Sequence, residues 1–247
     1  MAAANGKVAL ITGANRGIGY ETAKDLGLQG ITVILGVRDI ESGQEAANKL
    51  QGLGIDAAVV HYDAAKPETA GLVAEYIKQH FGKLDILVNN AGVLKENLIG
   101  VNNSSTVSST VLHETFEINL FAVIELTQKL LPLIKLASAG RIVNLSSILA
   151  SLTLHSMADS PIEPAKGFAY NASKTALNAY TVHLAHELKN TNIKINAAHP
   201  GWVKTQLGGE HAPMEVEDSS KTSVRLATLN QDGESGGFFH ENDALPW

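Results

Sequence analysis

Two residue patterns in this sequence could do chemistry. Tyr170 and Lys174 stand four positions apart inside Phe168–Lys189, a stretch with helical spacing. That places both on one helical face with Cβ atoms about 5–6 Å apart. A free tyrosine has a pKa of about 10, too high for easy proton exchange near neutral pH, and a nearby ammonium favours the phenolate and lowers it. An isolated Tyr-x3-Lys is usually a helix surface pair, so its context decides. The second pattern is Thr12-Gly13-Ala14-Asn15-Arg16-Gly17-Ile18-Gly19. Its glycines permit a tight turn and let backbone N–H groups approach a pyrophosphate at a helix N-terminus. A Gly-rich turn alone is weak evidence; one between a first strand and a first helix is much stronger.

Short apolar blocks supply the elements that would position these residues. They are Val8–Ile11, Ile31–Leu35, Ala57–Val60, Leu84–Val88, Arg141–Leu145 and Ile193–Ala197, with a weak last one at Gly237–His240. Unbroken apolar runs are expected for strands covered on both faces. Between them, Gly17–Leu28, Glu41–Leu50, Glu68–Phe81, Val111–Lys135, Phe168–Lys189 and Glu217–Leu229 have helical spacing. Alternation of this kind demands right-handed crossovers. It predicts an α/β fold, a doubly wound parallel sheet of seven strands, in a single domain spanning residues 1–247. Lys95–Thr110, Leu149–Gly167 and Trp202–Ser220 resist the pattern and are read as loops. All three follow C-terminal strand ends, where open α/β sheets bind ligands.

Composition removes other classes. The chain has 247 residues, net charge −6 and no Cys. The length suits one α/β domain with a real core. Mild acidity with four Arg is a poor match for nucleic acid. No apolar run reaches a membrane span, and the segment Met1–Lys7 runs straight into a strand-like block, unlike a signal or transit peptide. Absence of Cys removes disulfides, thiolate catalysis and Cys-based metal sites. The expectation is a cytoplasmic protein without metal, in which the sequons at Asn102, Asn103, Asn144 and Asn171 carry no meaning.

The Gly-x3-Gly-x-Gly spacing of the first loop resembles that of the classical short-chain dehydrogenases/reductases. The resemblance continues in order through Asp63 after the third strand, Asn89-Asn90-Ala91-Gly92 after the fourth, Asn119, Ser146-Ser147, Tyr170-x3-Lys174 and Pro200-Gly201. It covers essentially the whole chain. The stretch Leu130-Leu131-Pro132-Leu133-Ile134-Lys135, with Pro200-Gly201-Trp202-Val203, is most similar to the NADPH-dependent carbonyl reductases of that family.

The resemblance implies roles. Tyr170 donates a proton to the carbonyl oxygen as hydride leaves the nicotinamide, and takes it back in oxidation. Lys174 lowers the Tyr170 pKa and binds the nicotinamide ribose. Ser147, rather than Ser146, holds the substrate oxygen, and Asn119 positions a water connecting Lys174 to solvent. Cofactor contacts fall to Gly13, Asn15, Arg16, Gly17, Ile18, Gly19, Arg38, Asp63, Asn90, Tyr170, Lys174, Pro200, Gly201 and Val203. Within this set Asp63 meets the adenine edge, Asn90 the adenine ribose side, and Pro200 to Val203 the carboxamide end.

The second strand ends Leu35-Gly36-Val37-Arg38-Asp39. An acid there would hold the ribose 2′-hydroxyl of NAD, and a base the 2′-phosphate of NADP. By resemblance the acid would sit at Val37, which cannot accept a hydrogen bond. Arg38 follows, and Arg16 lies in the phosphate loop; guanidinium binds phosphate bidentately. Asp39 reads as the N-cap of the next helix. The expected cofactor is NADPH (NADP).

Ser147 and Tyr170 are 23 residues apart (170 − 147), longer than usual for the family. This insert leaves monomer and homo-oligomer both open. His183 and His186, with Glu187, have a spacing zinc sites can use, but no third ligand is evident and packed or solvated histidines are the plainer reading. His199 either lines the nicotinamide end or fills space. The expected activity is reduction of a ketone or aldehyde, a hydrophobic one if Leu149, Leu152, Leu154, Met157, Trp202, Leu207 and Met214 line its pocket. The rivals are an NADP-dependent alcohol dehydrogenase, an epimerase or dehydratase, and a catalytically silent NADP(H)-binding regulator. Fluorescence titration is expected to show tighter binding of NADPH than NADH, and comparable Kd values would exclude the assignment of Arg16 and Arg38.

Overall fold

The computed structural model describes residues 6–99 and 104–247; Met1–Asn5 and the sequon residues Asn102 and Asn103 lie outside them. The first half alternates strictly: β1 (Val8–Thr12), α1 (Gly17–Leu28), β2 (Thr32–Val37), α2 (Ile40–Gly52), β3 (Ala57–His61), α3 (Glu68–Phe81) and β4 (Ile86–Asn89). Then come α4 (Ser109–Phe116), a π-helical turn (Glu117–Phe121), α5 (Ala122–Ile134) and β5 (Arg141–Leu145). The remainder is a 3-10 turn (Ile148–Ala150), α6 (Leu152–Ser156), α7 (Phe168–Glu187), β6 (Lys194–Ala198), a second 3-10 turn (Val216–Asp218), α8 (Lys221–Ala227), β7 (Phe238–His240) and β8 (Asp243–Ala244).

The strands form one sheet in the order β3-β2-β1-β4-β5-β6-β7-β8. β1 pairs in parallel with β2 through Val8↔Thr32 and with β4 through Ala9↔Ile86. Strand order reverses at β1, so the crevice at the C-terminal ends of β1 and β4 is the topological switch point where such sheets take ligands. Alternate strand residues feed two apolar layers, as a period of two requires. Ala9, Ile11, Val33 and Leu35 pack with Ala23 and Leu26 of α1, Ala47 and Leu50 of α2 and Leu226 of α8. Val8, Leu10, Ile34 and Leu87 pack on the other face with Val73 and Ile77 of α3, Leu126 and Leu130 of α5 and Leu184 of α7. Among the described residues no helix is long and apolar enough to cross a membrane.

Four sequence expectations are corrected. The sheet has eight strands, and the last runs antiparallel to β7 through Phe239↔Ala244 and His240↔Asp243. It arises because Glu241, with φ +48, turns the chain back on itself, and a two-residue strand has no periodicity to read. The helical stretch expected over Val111–Lys135 starts at Ser109, capped by Ser108 Oγ accepting from Val111 N at 3.2 Å, and widens into the π turn that carries Asn119. The helix expected over Glu217–Leu229 is confined to α8, preceded by the 3-10 turn. The stretch Leu149–Gly167 contains a helix, α6, whose N-cap Ser151 accepts from Leu154 N at 3.1 Å.

One side chain ties the far end of the sheet together. Arg141, at the start of β5, is 3% exposed. Its guanidinium donates to the carbonyls of Leu229 (2.6 and 2.9 Å) and Asn230 (2.9 Å) beyond α8, and to those of Gly140 (2.7 Å) and Asn192 (3.2 Å). These carbonyls have an orphan's need for donors, and the flat five-donor fork meets four of them at once. Arg141→Met is expected to cost about 2–4 kcal/mol, because the acceptors are left buried and unpaired. Urea unfolding checks this, and Arg141→Lys should recover little, since one ammonium cannot span the four carbonyls.

Candidate active site

The loop between β1 and α1 is held from the β4 side. Asn90 Nδ2 donates to the carbonyls of Thr12 at 2.7 Å and Gly13 at 3.3 Å. Thr12 Oγ1 accepts from Asn90 N at 3.0 Å and Ala91 N at 2.9 Å. Gly13 has φ +66, and a Cβ at Gly19 would lie 2.5 Å from Asn90 Nδ2 and 2.6 Å from the Gly13 carbonyl. Glycine is therefore required at both positions, the first by conformation and the second by close approach. Asn90 is thereby committed to the turn itself. Asn15 Nδ2 donates to Ser42 Oγ of α2 at 3.1 Å, and Ile18 packs on the core. Arg16, at the N-cap of α1, gives no side-chain capping bond, and the first turn of α1 holds no acid. An uncapped helix N-terminus with an exposed Arg at its mouth fits an anion such as a pyrophosphate.

At the end of β2, Val37 is buried while Arg38 is exposed, and among the described residues neither Arg16 nor Arg38 is in an ion pair. Asp39 Oδ1 accepts from Glu41 N at 3.1 Å, so this carboxylate caps α2. Asp63, just past β3, is buried and accepts from Ala65 N at 3.1 Å.

The titratable cluster lies where α7 crosses the C-terminal end of β5. Lys174 Nζ donates to the carbonyl of Leu145 at 2.7 Å. Burial lowers its pKa to about 8. Tyr170, one turn earlier, hydrogen-bonds Ser147 through its hydroxyl, and burial pushes its pKa up to about 12 against that bond. Lys174 Nζ stands 5.9 Å from the Tyr170 ring centroid and donates to Leu145, and burial is the largest influence on the Tyr170 pKa. Ser147 Oγ accepts from Leu149 N at 3.2 Å, whereas Ser146 Oγ donates to Asn178 Oδ1 at 2.6 Å and turns into the core.

Asn119 does not reach Lys174 with its side chain. Its Oδ1 accepts from Val93 N at 2.8 Å, and its Nδ2 donates to the Val93 carbonyl at 2.9 Å and to Ser173 Oγ at 3.1 Å. Gly92 separates the two: a Cβ there would lie 3.2 Å from Asn119 Oδ1 and 3.5 Å from Lys174 Nζ. The amide thus fastens the loop after β4 to the π turn, a helix distortion frequent at functional sites.

The remaining candidates follow β6. Gly201 has φ +97, and buried Val203 bridges to Met214. Trp202 Nε1 donates to the Gly208 carbonyl at 2.8 Å. His199 is buried with Nδ1 unpaired, and its ring lies 4.9 Å from that of His240. Burial, then the neighbouring His240, lowers its pKa to about 3. Among the described residues no three His, Cys, Asp or Glu side chains group to hold a metal, so His183, His186 and Glu187 find no further ligand. Asn144 is fully buried, donating to Thr181 Oγ1 at 2.9 Å. Sequence reasoning missed the bracing role of the Thr12 hydroxyl, the His199–His240 contact and Glu96, whose Oε2 accepts from Tyr170 N at 3.0 Å.

Known proteins are similar to this chain in sequence and fold. The short chain dehydrogenase family matches residues 7–216. Salutaridine reductase of Papaver somniferum is 33% identical over 94% of this chain and 94% of its own. Mouse "Carbonyl reductase [NADPH] 1" is 30% identical over 97% of this chain and 98% of its own. Among solved structures, an NADPH-bound carbonyl reductase from chicken fatty liver superposes with a TM-score of 0.84 at 26% identity, covering 98% of this chain and 99% of that one.

The folded His199 pKa lies below the ordinary value, so between pH 6.5 and about 3 the unfolded chain binds a proton the folded one refuses. Stability from His199 is therefore present above pH 6.5 and is lost as pH falls through this window. Denaturant titrations from pH 6.5 to 4.5 are expected to show a shallower loss for His199→Gln than for the wild type.

Proposed function

We propose that this chain, which belongs to the short chain dehydrogenase family, is an NADPH-dependent carbonyl reductase that converts a ketone or aldehyde to an alcohol. Its family makes it an oxidoreductase of CH–OH and C=O groups. The finer reading rests on the state of Tyr170. With a pKa of about 12, the hydroxyl is a neutral phenol at neutral pH, hydrogen-bonded to Ser147. It carries the proton that reduction delivers to the carbonyl oxygen, and the Ser147 bond fixes where that proton is held.

The nicotinamide cofactor, when bound, supplies the hydride that adds to the carbonyl carbon. Tyr170 Oη gives its proton to the carbonyl oxygen as negative charge develops there. Ser147 binds the same oxygen, with the Leu149 N–H occupying one of its lone pairs and orienting the hydroxyl. Lys174, mostly charged at pH 7, lies beside Gly92 and offers donors to the nicotinamide ribose. Asn119 supports both through the loop it fastens.

The uncapped N-terminus of α1 would hold the pyrophosphate, with Gly13, Asn15, Gly17, Ile18 and Gly19 forming the turn and Asn90 bracing it. Arg16 and Arg38 would take the 2′-phosphate, a role open to them because Val37 offers no acceptor and Asp39 is committed to α2. Asp63 would meet the adenine edge, and Pro200, Gly201 and Val203 the carboxamide end. Similar proteins whose printed names carry NADPH support this choice of cofactor.

The test is NADPH consumption against aldehydes, aryl ketones, quinones, diketones and cyclic ketones, with Tyr170→Phe as control. Turnover is expected on part of this panel, and the control should retain NADPH binding while losing activity by roughly 10²–10⁴-fold. NADPH binding without turnover, or full activity in Tyr170→Phe, would overturn the reading.

A further inference from the structure

Helix α7, which carries Tyr170 and Lys174, has no local N-terminal cap. Its N-cap is Gly167, which makes no side-chain bond. The first N–H groups of a helix need acceptors from elsewhere. For Tyr170 N the acceptor is Glu96 Oε2 at 3.0 Å, 74 positions upstream in the loop after β4. A carboxylate there meets an orphan donor and the positive end of the helix dipole together.

The contact closes a ring. Three residues before Glu96, Val93 exchanges hydrogen bonds with the Asn119 amide through both its N–H and its carbonyl. Asn119 Nδ2 continues to Ser173 Oγ at 3.1 Å, and Ser173 Oγ donates to the Tyr170 carbonyl at 2.7 Å. Both main-chain polar groups of Tyr170 are thus held in one circuit, its N–H by Glu96 and its carbonyl by Ser173. The residues flanking Glu96 make other contacts. Leu94 and Leu98 pack against the cluster of Leu149, Ile162 and Tyr170, and Lys95 pairs with Glu114 at 3.1 Å. Removing the Glu96 carboxylate leaves these neighbouring contacts intact and takes the acceptor away from the first turn of α7.

We propose that Glu96 is a positioning residue for the proton donor. By capping α7 at Tyr170 itself, it sets where the phenol stands relative to Ser147. The proposal rests on the reading of Tyr170 as proton donor given above. A displacement of about 1 Å at a reacting group can cost on the order of 10² in rate, so a cap at this position has kinetic weight.

The test compares Glu96→Ala with Glu96→Gln in the full chain. Glutamine keeps an acceptor oxygen and loses only the charge. In Glu96→Ala, kcat is expected to fall about tenfold or more, with KM for the carbonyl and Kd for NADPH within about threefold of wild type. In Glu96→Gln, kcat should stay within about threefold of wild type. Hydrogen exchange at the Tyr170 amide gives a readout independent of turnover: protection should fall about tenfold in Glu96→Ala and be largely restored in Glu96→Gln. Wild-type kcat in Glu96→Ala, an equal loss in both variants, or unchanged Tyr170 protection in Glu96→Ala would overturn the proposal. A wild-type chain that binds NADPH and reduces nothing would instead overturn the reductase reading, leaving the hold of Glu96 on Tyr170 to be decided by the exchange data.

Discussion

A lysine ammonium is buried only where something accepts its protons, and Lys174 meets that condition with the main-chain carbonyl of Leu145, the last residue of β5. This bond joins the helix that carries the titratable groups to the strand that ends in the two serines. With Lys174 docked there, Tyr170 falls one turn toward the N-terminus of α7, within reach of Ser147. The enclosure that makes the lysine need a partner also raises the tyrosine pKa and depresses that of the lysine. Burial therefore leaves one group a phenol and the other a weakened cation.

The opposite end of the crevice obeys a different constraint, the need to satisfy main-chain groups at the ends of parallel strands. The Asn90 amide and the Thr12 hydroxyl accomplish this between β1 and β4, and the Asn90 amide occupies space that side chains at Gly13 and Gly19 would take. Asn119 plays the corresponding part between the π turn, the loop after β4 and α7. Two asparagine amides thus hold the turn at one end and the Tyr170 helix at the other. An amide suits this work, because it offers donors and an acceptor without the desolvation cost of a charge.

Much of this was legible before any coordinates. Strand order and hand follow from alternation of apolar blocks with helical spacing, and the first seven strands run as that alternation requires. Gly13, Gly17 and Gly19 are legible because glycine is the residue a tight turn and a close approach demand. Asp39 is legible as a cap because its side chain needs only the next helix to do its work. Glu96, by contrast, looks like any loop acid; the only local hint is that α7 begins at a glycine with nothing to cap it. Arg141 reads as an ordinary strand residue, since its four acceptors come from three separate segments. The eighth strand is too short to leave a pattern.

The sequence by itself determined what recurs locally: the periodicities, the turn glycines, and the pairing of Tyr170 with Lys174 on one helical face. Tertiary structure decided everything that depends on desolvation or on partners distant along the chain. It placed Lys174 on Leu145 and enclosed Tyr170, and that enclosure raises the tyrosine pKa. It turned Ser146 inward to Asn178 and left Ser147 to meet Tyr170. The physical reason is one of range: propensity and periodicity act within a few residues and are written in order along the chain. The free energy of a buried charge depends on every group that excludes water from it, and those groups are assembled only by the fold.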